Sequence, residues 1–168
     1  KVMAEEKPII EEKKDTDEKV IKVVAVSYYE AVGRRKEASA RTRLYVVKDA
    51  SMTISGVEVA KGAVIINGRP SDSYFPTEVA KKMLQEPFRT TNTIGRFAVS
   101  IQVTGGGLSG QLGAVIHGIS RALEKVDKEK FRPILKKRGF MTRDSRTRQR
   151  RQPGKAGKSR AGKQSPKR

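Results

Sequence analysis

The chain has 168 residues, with 37 Lys and Arg against 18 Asp and Glu, one His, and no Cys or Trp. A formal charge of +19 far exceeds what solubility requires, and such a field repels itself unless a polyanion neutralises it, so nucleic acid is the first partner to weigh. Without cysteine there is no disulfide, thiol nucleophile or Cys-ligated metal, one histidine makes no multi-histidine cage, and no apolar run approaches the ~20 residues of a membrane span.

Residues 1–19 hold five Lys and seven acids. This low-complexity stretch reads as a peripheral extension, either a short helix or unfolded, whose negative sign opposes contact with nucleic acid. A folded unit is expected over 20–141. Residues 20–26 are rich in β-branched side chains and suit an edge strand, followed by a turn at Gly33. Ala40, Thr42, Leu44 and Val46 then alternate with Arg41, Arg43, Tyr45 and Val47, the period of a half-buried strand with Arg41 and Arg43 on its exposed face. Residues 53–61 predict a strand or hairpin excursion with Gly56 at its tip, and 63–66 a short strand closed by the turn dipeptide Asn67-Gly68. A helix over 77–85 has Thr77 as N-cap and Val79, Ala80, Met83 and Leu84 on its apolar side. Phe97, Val99, Ile101 and Val103 alternate with Arg96, Ala98, Ser100 and Gln102, the clearest strand in the chain.

The best helix follows over 109–126, with Leu112, Val115, Ile116, Ile119, Leu123 and Val126 in one stripe. Gly113, Ala114 and Gly118 lie beside that stripe and allow another backbone to approach closely. A short basic helix over 128–137, started or kinked at Pro133, ends at Gly139. The result is a small α/β sheet with helices on one face, leaving the other face and the tail for a partner. Residues 132–168 carry 15 basic residues and one acid, Asp144. From Thr142 onward no apolar side chain exceeds Ala, so 142–168 is expected to be an extended basic tail.

Three motifs bear on chemistry. Gly105, Gly107 and Gly110 satisfy G-x-G-x-x-G between a strand and a helix, the fingerprint of dinucleotide sites. After that helix comes Asp127-Lys128-Glu129-Lys130 rather than a parallel strand ending in an acid, so the dinucleotide unit is incomplete. A kinase-type phosphate loop would need Mg²⁺-holding carboxylates that are not found. What remains is a loop touching RNA phosphates or a structural turn. His117, without a second His or a nearby Asp, suits either a surface hydrogen bond to RNA or a structural role. Gly33-Arg34-Arg35-Lys36 places three cations beside Arg41 and Arg43, a pattern suited to phosphate contacts.

Gly33-Arg34-Arg35-Lys36 with Ala40-Arg41, Asn67-Gly68-Arg69-Pro70 and Tyr74-Phe75-Pro76 resemble the opening motifs of the ribosomal protein nine family of the small subunit. So do Gly105-Gly106-Gly107-Leu108-Ser109-Gly110-Gln111, His117-Gly118-Ile119, Arg121-Ala122-Leu123, Arg132-Pro133, Gly139-Phe140 and Thr142-Arg143-Asp144. The resemblance spans about residues 28–151 and implies a small mixed sheet with a left-handed βαβ crossover. It also implies a seat on ribosomal RNA in the subunit head among neighbouring head proteins, and a tail whose tip approaches the anticodon stem-loop of the P-site transfer RNA. On that reading the contacts to ribosomal RNA come from Arg34, Arg35, Lys36, Arg41, Arg43, Arg69, Gly105, Gly106, Gly107, Gln111, His117 and Arg121. In the tail they come from Arg143, Arg146, Arg148, Arg150 and Arg151. Lys167 and Arg168 match the family's tip, although Pro166 displaces Ser165 from the usual position. The stretch 51–61 is longer than the family's turn, and the acidic extension lies outside the match. No catalysis, cofactor, metal, small-molecule substrate or membrane is expected. The expected location is the ribosome in bacterial cytoplasm, with an organellar ribosome as the alternative. The rivals are a DNA-compacting architectural protein and a small-molecule kinase.

Overall fold

The computed structural model describes residues 8–11, 22–25, 28–47, 51–54, 57–151 and 153–154. In chain order the strands of the first half are β1 (Pro8–Glu11), β2 (Lys22–Ala25), β3 (Tyr28–Arg35), β4 (Ala38–Val46), β5 (Ser51–Ile54), β6 (Val57–Ala60), β7 (Val64–Ile66) and β8 (Arg69–Pro70). Then come α1 (Ser71–Tyr74), α2 (Glu78–Thr90), β9 (Phe97–Thr104), α3 (Leu108–Val126) and α4 (Lys128–Lys137). The main sheet has the order β3-β4-β9-β7-β8, with every pair antiparallel except β7 and β9. That parallel pair is joined through β8, α1 and α2, so β9 inserts between two strands made before it.

Period-two alternation in β9 buries Phe97, Val99, Ile101 and Val103 on one face. Leu44 of β4 and Ile66 of β7 extend that layer. Onto it pack Val115, Ile119 and Leu123 of α3, Leu84 and Phe88 of α2, and Phe131 and Leu135 of α4. The helices therefore lie on one face, as the pattern predicts. α3 approaches β3 with almost no intervening space. A Cβ on Gly33 would stand 2.0 Å from the Ala114 carbonyl oxygen, and one on Gly118 would stand 2.5 Å from the Thr42 hydroxyl.

That contact corrects the reading of Gly33 as a turn. Gly33 sits inside β3, paired with Ala40, and the reversal is at Lys36-Glu37, where Lys36 adopts φ 52°. The missing side chain serves a helix approach rather than a bend. Residues 22–25 likewise do not edge the main sheet. β2 pairs with β1 in a separate two-stranded arm, so residues 8–11 of the acidic extension form a strand, not a helix or an unfolded stretch. β5 and β6 form the expected hairpin, and Gly56 at its tip lies outside the described residues.

α2 runs five residues past the predicted end and through Pro87, which has no N–H to give the Met83 carbonyl and whose ring is buried. Its buried face is Leu84, Pro87 and Phe88, while Val79 is 63% exposed and Met83 44% exposed. Thr77 occupies the N-cap position without a side-chain capping bond. α4 starts at Asp127, whose carboxylate accepts the Lys130 N–H at 3.1 Å, rather than at Pro133. It ends at Gly139, φ 77°, where the Gly139 N–H donates to the Lys136 carbonyl and the Phe140 N–H to that of Leu135, a Schellman closure.

The second sheet face is less open than the alternation suggests. Tyr45, Val47, Val59 and Ala98 are buried there with Tyr28, Ala63 and Ile65 against them, so the β5–β6 hairpin covers one end. Val46, expected inward, is 47% exposed where β4 ends.

Candidate nucleic-acid interface

The C-terminal ends of β7 and β9 and the β3–β4 turn meet at one end of the sheet. Asn67, φ 50°, extends the β7–β9 pairing with its side chain: Nδ2 donates to the Val103 carbonyl at 3.0 Å and Oδ1 accepts the Val103 N–H at 2.8 Å. This fixes Gly68 and Arg69 beside the end of β9. Gly105 and Gly106, φ 73° and 63°, fold the next loop back on the β3–β4 turn, where a Cβ on Gly105 would stand 2.6 Å from the Glu37 carbonyl oxygen. Gln111 braces this corner, donating from Nε2 to the Gly105 carbonyl at 3.1 Å while its Oε1 accepts the Tyr74 hydroxyl at 2.8 Å. Structural demands thus account for Gly105, Gly106 and Gln111. Gly107 caps α3 and faces open space.

Arg34, Lys36 and Arg69 are exposed around this end and make no ion pair among the described residues. Arg35 turns to the helix side and crosses α3 at Gly113, where a Cβ would meet its Cδ at 2.2 Å. It reaches Asp144, whose Oδ2 lies 3.3 Å from Arg35 Nη2. Arg146 grips the same carboxylate as a fork, Nε to Oδ1 and Nη2 to Oδ2, both 2.9 Å. These Arg146 hydrogen bonds, with the Arg35 charge beside them, hold Asp144 far below the usual carboxylate range. Arg143, Arg148, Arg150 and Arg151 continue from that point, exposed and without helix or strand.

His117, Arg121 and Lys125, one turn apart on α3, cover the outer edge of β3. His117 Nδ1 accepts the Arg34 N–H at 3.3 Å, Arg121 Nη1 donates to the Val32 carbonyl at 2.5 Å, and Lys125 Nζ to that of Glu30 at 2.5 Å. Burial and then the Arg121 charge push the His117 pKa down, which suits a neutral ring with an accepting nitrogen. The sequence reading passed over Lys125, although three bases at i, i+4 and i+8 were the available signal.

Arg41 is exposed, but Arg43 is largely covered, which corrects its placement on the open face. Glu30 binds both: Arg41 Nε donates to Oε1 at 2.6 Å and Arg43 Nε to Oε2 at 3.1 Å, while the Arg43 guanidinium lies 5.2 Å from the Tyr28 ring centre. Burial works to raise the Glu30 pKa, and the two guanidinium groups outweigh it, so the net direction is down. Tyr45, which the alternation puts on the same face as Arg41 and Arg43, is buried. Lys167 and Arg168 lie outside the described residues.

Exposed cations along one end of an α+β sheet, a guanidinium fork on Asp144 and the arginines that follow it define a module suited to a polyanion. Among the described residues no group of three or more His, Cys, Asp or Glu side chains is placed to hold a metal. The family description Ribosomal protein S9/S16 matches residues 33–168. Small ribosomal subunit protein uS9 of Maridesulfovibrio salexigens is 43% identical over 127 residues, 76% of this chain and 87% of that one. The protein of the same name from Anaeromyxobacter sp. (strain K) is 45% identical over 134 residues, 80% of this chain and 92% of its own. The chain belongs to the S9 family of ribosomal proteins, a structural family without enzymatic activity.

Proposed function

We propose that this protein is a structural constituent of the small ribosomal subunit whose folded domain binds ribosomal RNA in the subunit head, beside neighbouring head proteins. The observation that carries the reading is the exposure of Arg34, Lys36 and Arg69 along one end of the main sheet, from its β3 edge to its β8 edge, with the Arg143–Arg151 cations departing beside Arg35. Phosphate contacts of this kind set position without reading sequence. The tail neutralises RNA phosphates along its path, and Lys167 and Arg168 meet the backbone of the P-site transfer RNA. The bacterial relatives favour a bacterial ribosome in the cytoplasm. Family membership weighs against the DNA-compacting and kinase alternatives.

Salt dependence of binding to naked small-subunit RNA tests this. Eleven cations lie from Thr142 onward. With ~0.7–0.9 counterions released per phosphate neutralised, full tail engagement contributes a log–log slope of about −8 to −10. A chain ending before Thr142 should lose several units of slope. A change of less than about one unit overturns the tail's role.

A further inference from the structure

We propose that Asp144 is a built-in occupant of a two-arginine phosphate site formed by Arg35 and Arg146, and that a backbone phosphate of the RNA takes its place on binding. The inference rests on the nucleic-acid reading above. Asp144 is the one acid among 15 basic residues from 132 to 168, so its sign runs against everything around it. Its contacts are those of a bound oxyanion: both oxygens on the Arg146 guanidinium at 2.9 Å, Oδ1 also accepting the Arg146 N–H at 3.1 Å, and Oδ2 shared with Arg35 at 3.3 Å. A phosphodiester presents two acceptor oxygens of the same charge to the same fork.

Arg35 is held for this purpose rather than left to wander. It lies across α3 only because Gly113 lacks a side chain, and its buried Nε finds no acceptor. The guanidinium is thus fixed by packing, with its terminal nitrogens aimed at the site. Asp144 itself belongs to neither core cluster and keeps 28% of its side-chain surface exposed. Exchange with an external anion therefore needs no unfolding, and ion pairs this exposed are weak in water. An internal carboxylate also keeps the two cations from gripping any passing polyanion. It lowers affinity everywhere and leaves the full gain to a partner that engages the whole end of the sheet.

Asp144→Asn removes the charge at almost unchanged size. In the full chain, the Nε–Hε NMR signals of Arg35 and Arg146 are followed as inorganic phosphate is added. Both signals should shift saturably in the variant, at roughly three- to tenfold lower phosphate than in the wild type. Asp72→Asn, which removes an exposed charge elsewhere, should respond as the wild type does. Equal responses of Asp144→Asn and wild type, or an equal gain in Asp72→Asn, overturn the proposal. Because this readout contains no RNA, failure of the chain to bind RNA would fall on the functional reading and leave the phosphate result to decide the site. With a short RNA duplex, Asp144→Asn should bind several-fold tighter, and the gain should vanish in an Arg35→Gln, Arg146→Gln background. Weaker binding by Asp144→Asn would make Asp144 a scaffold for the tail and would also overturn the exchange.

Discussion

Gly33 and Gly118 show how one absent carbon positions the interface. A Cβ on Gly33 meets the backbone of α3 at 2.0 Å and 2.3 Å, and backbone cannot swing aside as a side chain does. Gly33→Ala should lower unfolding free energy by roughly 2–4 kcal/mol, the upper range for overpacking, measured by urea denaturation. His117 gives a pH signature. Its folded pKa lies below the ordinary value, so the unfolded chain takes up the proton first. The stability it contributes is present above pH ~6.5 and is lost as pH falls from there to the depressed folded value. Urea midpoints recorded across that window should decline for the wild type. They should flatten for His117→Asn, whose amide oxygen can still accept the Arg34 N–H without titrating.

At the scale of elements, α3 both supplies the core and shields an edge. Exposed strand edges invite pairing with other chains, and here the outward carbonyls of Glu30 and Val32 are taken by Lys125 and Arg121. The double variant Arg121→Ala, Lys125→Ala should keep its fold, because both side chains are exposed, yet self-associate with rising concentration in sedimentation velocity runs. β4, β9, α3 and α4 were legible in the sequence because the side chains each sends into the main core recur at that element's own period. β3 was not, since its alternation is broken by glycine at the helix crossing and by Glu30, which is retained inward of two arginines. The face of α2 was legible in part: Ala80 and Leu84 meet the core as expected, but Val79 and Met83, which have the right spacing, are exposed because the helix packs through Leu84, Pro87 and Phe88. Arg34, Lys36 and Arg69 were legible as surface cations. The commitment of Arg35 to Asp144, and of Arg43 to Glu30, depends on strand register and on residues more than ten positions away, which no local pattern carries.

For the whole molecule, the charge is divided between domain and tail: residues 20–141 carry a net +11 and residues 142–168 a net +10, with residues 1–19 at −2. Residues 132–168 alone supply 15 basic groups against one acid. Removing only Lys167 and Arg168 should therefore leave subunit assembly unchanged and weaken transfer RNA binding at the P site by at most roughly 1–3 kcal/mol, as read by filter binding to purified mutant subunits. Normal affinity would mean that Pro166 redirects the tip. The order of strands has a separate consequence for synthesis. β9 is the partner of both β4 and β7, so a nascent chain that stops short of Phe97 holds the β3–β4 and β7–β8 pairs of the main sheet with no strand to join them. Hairpins of that kind are marginal in water, and α3, which covers the sheet, emerges later still. The main sheet therefore cannot close until β9 has been made. Residues 142–168, a net +10 of the chain's +19, follow the last core helix, so the core can close before about half of the net charge has been added.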